Sequence, residues 1–254
     1  MKNLKIFFLV LVFLIISFDS YAGSGKRDEE VVINRDTSLI DIPSASVLDR
    51  GNFSVKTRFY SGGGVLTNVE VGVLDPLTLG ASFMVDNLIG SGDNVKMIKP
   101  EMQIKFRFYD GGYYIPALAL GYDGQGYFYD RRREEYMQKG KGLYIVGTKE
   151  MIFPNLMTHI GFNIPDYNDG YLYSFLGFNY NLEDKINLMM EIDNMFHSDY
   201  KSRFNLGVRF NVTSNFNFDI AFRNIGRNSK FINGEPNKME RIVQFNTSFY
   251  LGDF

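Results

Sequence analysis

The feature that most constrains this chain is a period of two that recurs, segment after segment, from Gly51 to the C-terminus. In Glu101–Phe108, Met102, Ile104, Phe106 and Phe108 oppose Glu101, Gln103, Lys105 and Arg107. Successive side chains of a β-strand point to opposite faces, so such a stretch has one apolar and one polar face. The last segment repeats the pattern: Val243, Phe245, Thr247, Phe249 and Leu251 fall against Gln244, Asn246, Ser248 and Tyr250. About twelve such strands are predicted: 52–60, 65–73, 77–86, 97–109, 114–123, 142–151, 156–164, 171–181, 185–194, 203–212, 215–224 and the segment from Arg241 onward. Their lengths match the roughly 9–11 residues of a tilted membrane strand. Strand ends read from sequence drift by about 2–4 residues, which leaves ten and fourteen as neighbouring counts.

The connections alternate in length. Those at Asp75-Pro76, Asp110–Gly112, Phe153–Asn155, Leu182–Asp184 and Thr213-Ser214 are short, whereas 88–96, 124–141, 165–170, 195–202 and 225–240 are long. Only the first hairpin, turned by Ser61-Gly-Gly-Gly64, departs from this. Short turns on one side and long loops on the other are the pattern of an outer-membrane barrel, with the short turns facing the periplasm. The expected fold is therefore all-β: a transmembrane antiparallel up-and-down barrel over 51–254, whose last strand pairs back onto the first near Gly51. In the sixth strand the faces are ambiguous, and Gly147 and Lys149 suggest the inside.

Alternation alone would also fit a soluble barrel with its apolar face turned inward. Three features favour the membrane. The polar face is rich in Gly, Asn, Ser and Ala. The other carries bulky Phe on strand after strand, in a chain with 24 Phe. It also carries almost no charge, as expected where a charge near the bilayer midplane costs about 2–4 kcal/mol. A mean hydropathy of −0.14 excludes a helical membrane protein but not a barrel, whose strands average to neutral. With no Trp, an interface girdle falls to Tyr and Phe, for instance Tyr60, Tyr109, Tyr122, Tyr144 and Tyr180. At the N-terminus, Lys2 and Lys5 precede an apolar run from Ile6 to Ile16, and Ser20-Tyr21-Ala22 follows. That is the layout of a secretory signal peptide, 1–22, and the run is too short to span a bilayer. Residues 23–50 show no sustained period and are read as a periplasmic lead-in that tucks against the barrel floor.

The polar face supplies the candidate functional residues. Lys56, Arg58, Glu70, Lys105, Arg107, His159, Glu191, Asp193, Arg209, Asp219 and Arg223 are predicted to line the lumen. Glu70 neighbours Lys56 and Arg58, and Arg209 lies between Glu191/Asp193 and Asp219/Arg223. Such ladders either fill a narrow lumen as ion-paired networks or bound an aqueous pore that selects solutes. The only histidines are His159, on the inner face, and His197, in a loop. A Ser–His dyad for an outer-membrane hydrolase has no recognisable spacing here. The run Asp130–Glu135 offers guanidiniums to lipopolysaccharide phosphates, against the plainer reading of a solvated loop. A net charge of −2 gives no basic excess for nucleic acid. Zero Cys excludes disulfides, and no phosphate loop or metal-ligand spacing occurs, so no cofactor is expected. The reading is a non-enzymatic barrel in the outer membrane, in contact with its lipid. It is a narrow channel for a small solute or a component of envelope polysaccharide export. A phospholipase-like hydrolase and a surface-binding barrel using loops 124–141 and 225–240 are the alternatives.

Two resemblances add to this. A final strand ending on an aromatic, Phe254, resembles the ends of bacterial outer-membrane barrels, which implies recognition by the outer-membrane assembly machinery. The order Asp41-Ile-Pro-Ser-Ala-Ser-Val-Leu-Asp-Arg-Gly51, Gly64-Val-Leu-Thr-Asn-Val-Glu-Val-Gly-Val, Leu79-Gly-Ala-Ser, Pro116-Ala-Leu-Ala-Leu-Gly-Tyr-Asp-Gly-Gln-Gly126 and Gly142-Leu-Tyr-Ile-Val-Gly-Thr-Lys149 resembles the YjbH-like outer-membrane proteins associated with exopolysaccharide export. It covers about residues 41–150 and implies an envelope polysaccharide as the solute, with no catalytic residues.

Overall fold

A computed structural model of the chain describes residues 36–90, 94–165, 170–195, 202–226, 229–230 and 236–252. The segment 1–22 expected to be a signal peptide, residues 23–35, His197 and Phe254 lie outside the described residues. Twelve long strands form one antiparallel sheet: β1 Asn52–Tyr60, β2 Gly64–Leu74, β3 Leu77–Asp86, β4 Glu101–Tyr109, β5 Ala117–Asp123, β6 Gly142–Glu150, β7 Leu156–Ile164, β8 Tyr173–Leu182, β9 Ile186–Met195, β10 Arg203–Thr213, β11 Phe216–Arg223 and β12 Glu240–Tyr250. Each pairs with its neighbours in sequence, and β12 pairs with β1 from Asn52↔Tyr250 to Phe59↔Val243, so the sheet closes. The barrel has no free edge, which removes the template for aggregation that an open sheet presents. Phe53 and Phe249 stack across the closing seam with ring centroids 5.8 Å apart.

The alternation resolves into an apolar outside and a charged inside. Ile160 is 54% exposed, Phe162 49%, Phe106 41% and Phe245 40%, whereas Glu191 and Asp193 are fully buried. A soluble protein rarely exposes apolar patches beyond a few hundred Å². Here the apolar face runs around the whole circumference, as a surface solvated by lipid would.

Four details differ from the sequence reading. Gly147 and Lys149 face outward, not inward. Gly147 lies against Leu118 and Pro116, and Lys149 sits at the short-turn rim, where its ammonium reaches the carbonyls of Gly112 and Tyr113. Of the five girdle candidates, Tyr109, Tyr122 and Tyr180 are exposed on the outside, but Tyr60 and Tyr144 turn inward and are buried. The fifth strand begins at Ala117 rather than 114, because 110–116 form a turn closed by Gly112 N–H to Ile115 O at 2.9 Å. The fourth begins at Glu101, with Lys96–Met97 making a separate short pairing on β3.

The core is the lumen itself. Residues 36–50, the second half of the segment read as a lead-in at the barrel floor, run inside the barrel. They form a finger folded back on itself by a Ser38↔Pro43 bridge and by Leu39 N–H to Ile42 O at 3.0 Å. Leu39, Ile40, Ile42 and Ala45 are all at most 3% exposed and belong to one core cluster with the inward side chains Leu66, Met84, Val146, Phe175, Met189 and Ile242. Burial of each large aliphatic side chain contributes about 1.5–3 kcal/mol. The finger joins β1 through Gly51, whose φ of +78° suits glycine, and a Cβ there would come within 2.4 Å of Gly252 O.

Candidate functional site

The site is built where the finger meets the barrel wall. Its outgoing limb starts near the short-turn end, where Asp36 pairs with Arg209 at 2.6 Å and accepts a hydrogen bond from Asn187, the second residue of β9. Its tip reaches toward the long-loop end. There the Asp41 carboxylate accepts from Arg58 at 2.9 Å and from Arg223 at 2.7 Å. The returning limb descends past Thr148, which accepts from Ala45 N–H at 2.8 Å, and Thr78, which accepts from Leu48 N–H at 2.8 Å. It leaves at Gly51, whose N–H bonds Gly72 O at 2.9 Å. Both described limbs therefore run toward the same end of the barrel.

The tip is held by complementary charge. Glu191 of β9 accepts three consecutive backbone N–H groups, from Ile40 at 2.6 Å, Asp41 at 2.9 Å and Ile42 at 3.1 Å. Its other oxygen also accepts from Asn205 Nδ2 at 2.9 Å. Hydrogen bonds to a charged group contribute about 1.5–3 kcal/mol each, and a buried carboxylate without them would be strongly disfavoured. Asp41 is the mirror case. Burial alone would raise its pKa, but Arg223 and Arg58 outweigh that and hold the carboxyl well below the usual range. The apolar side chains of the tip fill space left by glycines. A Cβ on Gly177 would meet Ile42 Cδ1 at 2.2 Å, and one on Gly207 would meet Ile40 Cδ1 at 3.0 Å.

A second insert narrows the other end. The loop between β5 and β6 carries a hairpin, Tyr127–Asp130 paired with Glu135–Gln138, that folds into the mouth. The Tyr127 hydroxyl accepts from Arg58, and its ring lies 4.0 Å from the Arg223 guanidinium. Tyr136 and Met137 are buried, while Arg131, Arg132, Arg133 and Glu134 remain exposed at the tip. Between finger and wall a cavity of about 120 Å³ remains, lined in part by Lys56, Glu70, Gln103, Lys105 and Asp123.

All eleven residues singled out on the polar face point inward, and the structure separates them by partner. Lys56 pairs with Glu70 at 3.0 Å. Arg58 turns away from Glu70 to Asp41. Lys105 bonds the finger carbonyls of Thr37 and Ser46. Arg209 takes Asp219 at 2.7 Å as well as Asp36, but not Glu191, whose oxygens are spent on the finger. Asp193 pairs with Lys141 at 2.6 Å and with Arg203 at the long-loop mouth. Arg223 adds Glu240 at 2.7 Å. Arg107 stands apart at the short-turn rim with Asp110 at 2.7 Å. His159 is fully buried: Thr148 lies 2.9 Å from Nδ1, and Asn179 Oδ1 lies 2.7 Å from Nε2. Both ring nitrogens are thus engaged inside the wall, away from lipid, so His159 cannot serve a lipid-facing dyad.

Sequence reasoning missed Asp36, Asp41, Tyr127, Lys141, Arg203 and Glu240. The first two lie in the aperiodic lead-in. A usable signal was the Leu39-Ile40-Asp41-Ile42 cluster in a polar stretch, together with inward glycines at 177 and 207, which leave room for something to enter.

No protein-family model matches the sequence, and no curated protein does. Among solved structures the chain is similar to the KdgM porin, at a TM-score of 0.53 and 9% identity, covering 78% of this chain and 99% of that one. It is also similar to the KdgM porin in complex with disordered oligogalacturonate, at 0.51 and 8% identity over the same shares. At such identity the likeness is one of fold alone: a closed twelve-stranded transmembrane barrel.

Proposed function

We propose that the protein is an outer-membrane channel for small hydrophilic solutes, carboxylated oligosaccharides foremost, whose lumen its own finger occupies in this conformation. The observation that carries the reading is the seat of Asp41. Two wall guanidiniums, each at most 7% exposed, hold one carboxylate inside an otherwise enclosed tunnel. Paired guanidiniums recognise carboxylates by charge and geometry together, and lumen-lining charges set which solutes enter. The KdgM porin, similar in fold, has been captured with oligogalacturonate, a chain of carboxylated sugars. Proteoliposome swelling tests the proposal. A barrel lacking 36–48 is expected to admit uronate trimers faster than neutral trimers, and the full chain to admit both slowly. Swelling no faster than in empty liposomes, for both forms, overturns it. Residence in the outer membrane is tested by fractionation with a boiled-versus-unboiled gel shift.

The resemblance of residues 41–150 to the YjbH-like proteins supports a narrower reading, in which the solute is an envelope polysaccharide on its way out. Its first motif, 41–51, corresponds to the fingertip and returning limb. Loss of the gene should then change the sugar composition of released polysaccharide, and an unchanged composition removes this reading.

A further inference from the structure

We infer that the finger's seat is a peptide-binding site, entered from the short-turn end, that recognises an aspartate-tipped turn and exchanges the finger reversibly. The inference rests on the channel reading above and adds a ligand to it.

Three observations carry it. First, the barrel closes without the finger. The sheet is complete through its twelve strands, and the described backbone-to-backbone hydrogen bonds from 36–50 stay within the finger and its exit turn. Its grip on the wall is through side chains: Glu191, Thr148, Thr78, Lys105, Arg58 and Arg223. Second, both described limbs run to the short-turn end, so withdrawal of residues 36–50 needs no unthreading past the long loops. Third, the seat reads a specific sequence. A wall carboxylate takes the turn's N–H groups, two wall guanidiniums take its carboxylate, and spaces over Gly177 and Gly207 take its aliphatic side chains. The polar groups of the seat are ionic or hydroxyl and can be hydrated when the finger leaves, whereas Leu39, Ile40 and Ile42 lose a dry environment. The occupied state is thus the resting one. A carboxylated solute arriving from the opposite mouth competes with Asp41 for Arg58 and Arg223, which links solute entry to finger release.

The test uses barrels lacking residues 36–48 and a synthetic peptide of residues 36–50. Two readouts are taken: block of conductance in planar bilayers, and anisotropy of the labelled peptide with barrels in nanodiscs. The full chain carrying Ile42→Asp, which unseats the finger without shortening the chain, is a second receptor should the deletion impair folding. The expected result is saturable binding, block from one face only, and at least tenfold weaker binding of a peptide with Asp41→Ala. Absence of saturable binding to both receptors overturns the inference, as does binding of the Asp41→Ala or scrambled peptide as tight as that of the parent peptide, or equal block from both faces. If the deleted barrel conducts and the peptide neither binds nor blocks, only the inference fails. If it binds peptide but never conducts, only the channel reading fails.

Discussion

Asp41→Asn should release the finger. The parent carboxylate accepts from Arg58 at 2.9 Å and Arg223 at 2.7 Å, and among the described residues no other carboxylate pairs with both guanidiniums. Removing one partner of a buried ion pair costs about 3–5 kcal/mol, chiefly because the remaining charge is left unpaired. Here Arg58 keeps Gln244 and Tyr127, and Arg223 keeps Glu240, so the lower end applies. With the finger withdrawn, both guanidiniums are hydrated and the penalty disappears. A difference of about 3 kcal/mol, at roughly 1.4 kcal/mol per tenfold, raises the withdrawn population about a hundredfold. The chain has no Cys, so Ile42→Cys creates a unique reporter, fully buried when the finger is seated. Its labelling rate by a membrane-impermeant maleimide follows the open population when seating is fast relative to labelling. Labelling should be about a hundredfold faster with Asp41→Asn than without it. Equal rates, or rapid labelling in the parent, would refute the role given to Asp41.

Phe106→Arg and Leu118→Arg place a charge on the outer face at a cost of about 2–4 kcal/mol each, and should reduce assembled, heat-modifiable barrel far more than Gln103→Arg. Equal losses would contradict the assignment of faces. Gly177→Val puts atoms where Ile42 Cδ1 lies, 2.2 Å from the added Cβ. It should speed maleimide labelling of a Ser44→Cys reporter, fully buried when the finger is seated, while leaving heat-modifiable mobility unchanged; a still-protected reporter would count against the seat.

Much of the barrel is legible in the sequence because lipid outside and charge inside impose the same period on every strand. β4 and β9 to β12 show it cleanly. β6 does not, and the finger is the reason. Where aliphatic finger residues fill the lumen, the wall turns apolar too. Tyr144 and Val146 of β6 face inward beside Leu143 and Ile145 facing out, and the contrast between faces vanishes. The same effect puts Met84, Phe175, Met189 and Ile242 on inner faces. The finger itself shows no period because it belongs to no regular element. Its residues answer to side chains on β1, β3, β4, β6, β9, β10 and β11, which meet only once the barrel has closed. The eleven charged and polar residues could be placed on a face, but their partners could not, since Asp36 and Asp41 arrive from a segment whose position only tertiary structure sets.

The most direct test of the finger lying inside the lumen is a crosslink between its tip and the wall, made in intact membranes. Ile42→Cys with Gly177→Cys trades an aliphatic side chain for the atoms that the glycine lacks, so the pair fits the space that one side chain now fills. A short bifunctional reagent should join the two in the folded, heat-modifiable form and lock the barrel against conduction until reduced or cleaved. If no crosslink forms while Cys reagents in bulk water reach position 42 freely, the lumen is not filled by residues 36–50 and the account fails.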